Sequence, residues 1–179
     1  MQKLINLSIA LLIVSLVAAC GGKKEQDGQA VLKKEVSAED RKLAAQAAGD
    51  ALYANFLNDH AAAEKALARA ASLNPANADY WFDLGIARIR TKDKAGATAA
   101  FKNVISVCAS EAAKDPNNAA WLVKQIRPMV ILGRVDEARA LRDNILKQFP
   151  ADRQVGVFTD PKAIDRLLED PLLKQYTNP

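Results

Sequence analysis

The sequence predicts an all-α protein, a short α-solenoid of about three helical hairpins closed by a C-terminal capping helical segment. Three observations carry this. Alanine, the strongest helix former and a small packer, supplies 34 of the 179 residues. Strand-favouring clusters of Val, Ile, Thr and aromatic residues are missing beyond residue 20, and aromatics make up only 6% of the chain. Three stretches end alike, which marks a repeated unit. Half of the chain is hydrophobic, enough for a core, while 8 Gly and 7 Pro exclude collagen-like and low-complexity readings.

The first residues carry an address. Lys3 gives a short basic start, Leu4 to Val17 is an apolar run broken by Asn6, Ser8 and Ser15, and small residues precede Cys20. This is the layout of a secretory signal, and the run is shorter than the roughly 20 residues of a comfortable membrane span. From the residues alone, an ordinary cleaved signal and an uncleaved anchor remain alternatives. The ending Leu16-Val17-Ala18-Ala19-Cys20 resembles the bacterial lipobox, with Val17 where leucine is commoner. The resemblance implies a lipoprotein signal peptide over 1–19 and lipidation of Cys20, the first residue of a 160-residue mature chain. A thiolate is the nucleophile that takes a lipid as a thioether, and two or three acyl chains anchor where one is marginal. In bacterial lipoproteins an Asp after the lipidated Cys tends to retain the protein at the inner membrane. Gly21 and Gly22 stand there instead, which implies the outer membrane, facing the periplasm. Residues 20–37 read as the lipidated Cys and a flexible tether. Its Lys23, Lys24, Lys33 and Lys34 are a solvated surface or lie in reach of anionic headgroups.

The helical body is expected over 38–152. Ser37 with Asp40 caps a helix over 38–57. A helix over 60–73 carries Ala63, Leu67 and Ala70 ahead of Pro75, and one over 78–91 carries Trp81, Leu84 and Gly85. The next spans 94–114, with Phe101, Val104, Ile105, Cys108 and Ala112 on one stripe. Ala63 and Ala97 are 34 residues apart, whereas Ala97 and Ala138 are 41 apart. Seven extra residues are close to two turns, so they lengthen this helix by about 10 Å and keep its apolar face in register. A helix over 118–132 contains Pro128, which is expected to kink it or end it early. Ala138 and Ile145 precede Pro150 in the last, over 135–148.

The segment 153–179 differs. Thr159-Asp160-Pro161 and Asp170-Pro171 each place a capping side chain before a proline at the first helical position, predicting short helices over 161–169 and 171–176. Their apolar residues are Ile164, Leu167, Leu168, Leu172, Leu173 and Tyr176. A terminal repeat exposes an apolar face unless something covers it, so this tail is expected to cap the solenoid; a partner-binding arm is the alternative.

Trp81-x2-Leu84-Gly85 followed by Ala97 and Phe101, with prolines at the unit boundaries, resembles the tetratricopeptide repeat. Leu132-Gly133-Arg134-Val135-Asp136-Glu137-Ala138 resembles that family's turn into a second helix. The resemblance covers roughly 44–152 and departs from the pattern at Ala51 and Ile126, which stand where Gly falls in the second unit. It implies a right-handed solenoid whose first helices line a concave face where a protein partner or peptide lies. Carried onto this chain, that face offers Leu52, Asn55 and Phe56, then Phe82, Ile86, Ile89 and Arg90, then Val123, Arg127, Val130 and Ile131. Apolar side chains supply contact area, and arginines fix acidic or carbonyl groups through paired hydrogen bonds. Several of these apolar residues can equally pack between helices. The Lys and Asn pattern with which family members clamp a terminal carboxylate is not visible.

No enzyme is predicted. His60 is the one histidine and falls at a turn, no nucleophile motif accompanies it, and no Gly-rich phosphate loop exists. Two Cys and one His leave too few ligands for a Cys/His metal site, and no cofactor is expected beyond the lipid on Cys20. Cys108 reads as a buried core thiol, with an intermolecular disulfide or a redox role as the alternative. Lys plus Arg exceeds Asp plus Glu by only four, so nucleic acid is not an expected partner. The combined expectation is a lipid-anchored scaffold that binds a protein partner in envelope assembly, for outer-membrane proteins, a pilus or secretin, or cell-wall machinery. A self-associating structural lipoprotein and an accessory subunit of an envelope enzyme are the alternatives.

Overall fold

The structure, a computed structural model, describes residues 35–177. The signal peptide, Cys20 and most of the tether lie outside the described residues. Six long helices form three hairpins: α1 (Ala38–Phe56) with α2 (His60–Leu73), α3 (Ala78–Arg90) with α4 (Lys94–Lys114), and α5 (Ala119–Ile131) with α6 (Val135–Gln148). A 3-10 turn (Val155–Phe158) and two short helices, α7 (Ala163–Leu168) and α8 (Pro171–Thr177), follow. The described residues contain no strand. Each helix packs on its neighbours in sequence, so the described residues form an all-α solenoid of three helical hairpins closed by a C-terminal helical segment.

Side chains set the starts of five helices. Ser37, Asp59, Asn77, Asp93 and Asn118 each accept a hydrogen bond from a backbone N–H in the first turn. These caps satisfy donors that the helix itself leaves free. At α6 the cap residue is Arg134, which makes no such bond and instead clasps Glu137 at 2.8 and 2.6 Å.

The turn inside each hairpin is built three times on one plan. Leu57, Thr91 and Leu132 donate to the carbonyls four residues back, at Tyr53, Ala87 and Pro128. Asn58, Lys92 and Gly133 then take left-handed backbone, with φ of 59°, 66° and 75°. Asp59, Asp93 and Arg134 donate back to Ala54, Arg88 and Met129. This conformation ends α1, α3 and α5 one residue short of the expected positions. Between hairpins a proline turn recurs: Asn77 donates to Asn74, Asn118 to Asp115 and Asp152 to Phe149, with Pro75, Pro116 and Pro150 in the second place. Trp81 Nε1 donates to the Pro75 carbonyl at 2.8 Å and fastens the first of these turns.

Packing follows from residue size. Ala44, Ala47, Ala51 and Ala54 make one face of α1 a stripe of small side chains, which lets α2 approach closely. Helix α4 has 21 residues against 14 in α2 and α6, the two additional turns expected from the repeat spacing. Its stripe buries Phe101, Val104, Val107 and Cys108. Arg88 ties the first two hairpins together, pairing with Glu64 at 3.4 Å and donating to the Gly96 carbonyl at 3.1 Å.

Two features differ from expectation. Pro128 does not end α5 early: the helix runs on to Ile131 and closes with the same turn as the other hairpins. The ring is fully buried, so packing offsets the one helix hydrogen bond it cannot donate. In the tail, Asp160 Oδ1 accepts from Lys162 N at 2.8 Å, which makes Asp160-Pro161-Lys162 a turn and delays α7 to Ala163. The 3-10 turn was not expected.

The tail does two things. Val155 and Ile164 complete a core with Ile126, Met129, Val130, Ala138 and Ile145, closing the third hairpin. Then α8 doubles back, and Leu173 and Tyr176 join Ile89, Ala97, Phe101 and Ile131 in a second core. The Tyr176 hydroxyl hydrogen-bonds the Thr98 hydroxyl, and Asp170 approaches Arg127 at 3.5 Å.

Candidate functional site

The first helices of the three hairpins, α1, α3 and α5, carry all the residues assigned to the binding face. The structure divides them into three groups. Leu52 and Phe56 on α1 are strongly exposed, at 73% and 81%. Asn55, Phe82, Ile86, Val123 and Arg127 are half-buried, and Arg90 is exposed. Ile89, Val130 and Ile131 are buried and do not line an open face. Val130 belongs to the core of the third hairpin, while Ile89 and Ile131 are covered by Leu173 and Tyr176 of α8. The tail therefore occupies the end of the face between α3 and α5.

The open part of the face is a cleft between α1 and α3, of about 240 Å³. Ala48, Ala51, Leu52 and Asn55 line it from α1, and Asp83, Ile86, Ala87 and Arg90 from α3, with Leu67 beneath. Arg90 Nη1 donates to Asn55 Oδ1 at 3.1 Å, which spans the cleft at one end. Burial, and then the nearby Asp79 carboxylate, push the Asp83 carboxyl above its ordinary value.

A second cavity of about 200 Å³ opens between α3 and α5, over Phe82, Val104 and Val123. Lys124 bonds both Asp79 oxygens at 2.9 and 2.8 Å. The Arg127 guanidinium stands 5.1 Å from the centre of the Phe82 ring. Its buried Nε has no hydrogen-bond partner among the described residues. A roomier cavity, of about 540 Å³, lies elsewhere, beside the turn that joins the first two hairpins. Arg41, Asn74, Asn77, Lys114 and Trp121 line it. No motif had pointed there.

Sequence reasoning also missed Tyr53 and Leu57, which are 66% and 56% exposed and extend the apolar surface of Leu52 and Phe56 around the end of α1. Helical spacing places Tyr53 one step from Leu52 and Leu57 one step from Phe56, so neither shares the assumed face. Their exposure follows from the absence of a hairpin before α1 among the described residues.

Cys108 is a free, buried thiol packed with Ala78, Val104 and Val107. Burial pushes its pKa up to about 11. His60 is half-buried and its Nδ1 has no hydrogen-bond partner among the described residues. No group of three or more His, Cys, Asp or Glu among the described residues is placed to hold a metal ion. No described helix is long and apolar enough to cross a membrane.

No protein-family model and no curated protein matches the chain. Among solved structures the chain is similar to the TPR domain of Arabidopsis OM64. The two are 19% identical over 73% of this chain and 98% of that chain, with a TM-score of 0.42.

Proposed function

We propose that this protein is a lipid-anchored scaffold of a bacterial envelope, holding a protein partner in the cleft between α1 and α3. The observation that carries this is the bare apolar surface of Leu52 and Phe56 beside that cleft, with a guanidinium at its end. Large exposed apolar side chains gathered at one place mark interaction sites in soluble domains. The reading is one of binding rather than catalysis. The lipobox-like run ending at Cys20 supports anchorage, and Gly21-Gly22 supports the outer membrane, facing the periplasm. An anchored scaffold raises the local concentration of its partner at the membrane.

The test is photocrosslinking in intact cells from a probe at Leu52, with a control probe at the exposed Ala109 on α4. A discrete adduct from Leu52 and none from Ala109 is the expected result. Adducts only to a second copy of the chain would replace the scaffold by a self-associating component. Metabolic labelling with a clickable fatty acid, lost in Cys20→Ala, checks the anchor.

A further inference from the structure

Three features of the cleft between α1 and α3 specify more than a generic partner. Leu52 and Ile86 give it apolar walls, and Phe56, one helical turn beyond Leu52 on α1, is bare. At one end Arg90 is held by Asn55 alone, and no carboxylate among the described residues pairs with it. Towards the other end lies Asp83, seven residues back on the same helix, and no described cation pairs with it. Two turns of helix separate the two charges by roughly 10 Å. Asp83 is exposed along the cleft, and partial desolvation, then the nearby Asp79 carboxylate, push its carboxyl above the ordinary value.

The chain's own tail shows what the neighbouring position accepts, and why the tail does not fill this one. Helix α8 seats Leu173 against Ile89 and Ile131. One repeat earlier, at the same places relative to the left-handed turn residue, stand Asn55 and Arg90. A leucine there would cover a hydrogen-bonded polar pair, whereas a carboxylate would complete it. Ile86 lines the open cleft and also packs against the core that holds α8, so the two positions are continuous.

We propose that this cleft docks an amphipathic segment of a partner protein that sets apolar side chains on Leu52, Ile86 and Phe56. The segment brings a carboxylate to Arg90 and, about 10 Å away, an ammonium or guanidinium to Asp83. Read as a helix, it carries an acidic and a basic residue two turns apart with aliphatic or aromatic residues between them on the same face. This rests on the scaffold reading and names its ligand.

The test uses the full lipidated chain in cells, with the photoprobe at Leu52 and a second probe at Val123. Each is combined with Arg90→Glu, Arg90→Lys or Asp83→Lys. All three changes are at exposed positions, and circular dichroism checks that the fold is kept. Arg90→Glu is expected to lower the Leu52 adduct about tenfold, the scale of one lost charge-assisted hydrogen bond. Asp83→Lys lowers it severalfold, and Arg90→Lys keeps most of it. Sequencing the adduct is expected to show a segment with the stated charges flanking apolar residues. An adduct indifferent to Arg90→Glu and Asp83→Lys, or a crosslinked segment without a carboxylate, overturns this proposal and leaves the scaffold reading standing. An adduct from Val123 alone overturns this proposal together with the placing of the partner in the α1–α3 cleft. Adducts only to the chain itself, or none from either probe, remove both.

Discussion

The ring of Phe101 lies against the backbone of Gly85 so closely that a Cβ on Gly85 would stand 2.6 Å from it. The ring cannot swing clear, because it is fully buried and meets Phe82 and Tyr176 edge-on at centroid distances of 5.7 and 6.4 Å. Each hairpin solves this contact with different volumes. In the first, Ala51 and Leu67 stand at the same two places. In the third, Ile126 takes the glycine position and Arg142 the phenylalanine position. Ile126 is buried, and the Arg142 guanidinium leaves the interface to donate to the Pro161 carbonyl at 3.2 Å. Bulk moves from one helix to the other while the sum stays packable.

Gly85→Ala is therefore expected to destabilise the protein by about 1 to 2 kcal/mol, the overpacking cost exceeding the helix propensity that alanine gains. Adding Phe101→Leu, which recreates the pair of the first hairpin, should recover part of that loss. Chemical denaturation of the two single variants and the double variant gives the coupling. Simple additivity would show that the contact is not what requires glycine.

The helix boundaries were legible because they are local. Ser37 and the prolines at 75, 116 and 150 act within a few residues of where they stand. The additional two turns of α4 followed from spacing alone. The buried state of Ile89 and Ile131 was not legible, because it depends on α8, whose Leu173 lies more than 40 residues beyond Ile131 in the chain. Helical periodicity says which side a residue faces, and it cannot say what later segment comes to cover that side. The early helix end expected at Pro128 failed for a related reason. Propensity describes an isolated helix, and here the ring is enclosed by its neighbours. The α1–α3 cleft was half legible: Leu52, Asn55, Ile86 and Arg90 came from the repeat register, while Asp83 became visible only once its place along the cleft and its lack of a described cation were on view.

The three left-handed turn residues make a graded test of backbone strain. Lys92 carries a Cβ at φ 66°, whereas Gly133 carries none at φ 75°. A left-handed residue with a Cβ costs roughly 1 kcal/mol, and asparagine tolerates the region best after glycine. Lys92→Gly is expected to raise the unfolding midpoint, Asn58→Gly to change it little, and Gly133→Ala to lower it by about 1 kcal/mol. A midpoint unchanged in all three would mean that the turns relax without cost.

Cys108 gives the alkaline stability profile a definite sign. Its folded pKa is pushed up to about 11 from the ordinary 9.0 by burial. The unfolded chain thus releases the proton near pH 9 and the folded chain only near pH 11. The stabilisation from keeping the thiol neutral is complete below pH 9 and is lost as pH rises towards 11. Urea midpoints at pH 8 and pH 10.5 should fall further in the parent than in Cys108→Ala, both carrying Cys20→Ser to remove the other thiol. Equal falls would mean that the Cys108 thiol does not set the slope.

The tail is the element whose removal should change most. Leu173 and Tyr176 close the core over Ile89, Phe101 and Ile131, with the Tyr176 hydroxyl on Thr98 and Lys94 5.5 Å above the Tyr176 ring centre. Leu173→Ala removes a buried leucine at an end of the solenoid that can partly collapse, so a loss of about 2 to 3 kcal/mol is expected. Tyr176→Phe keeps the ring and removes one partly buried hydrogen bond, so about 1 kcal/mol is expected. The two losses should differ in place as well as size. Amide exchange in Leu173→Ala is expected to quicken at the ends of α3 and α5, around Ile89 and Ile131, while the first hairpin keeps its protection. Uniform quickening along the chain would mean that the solenoid unfolds as one unit and that α8 is part of its common core.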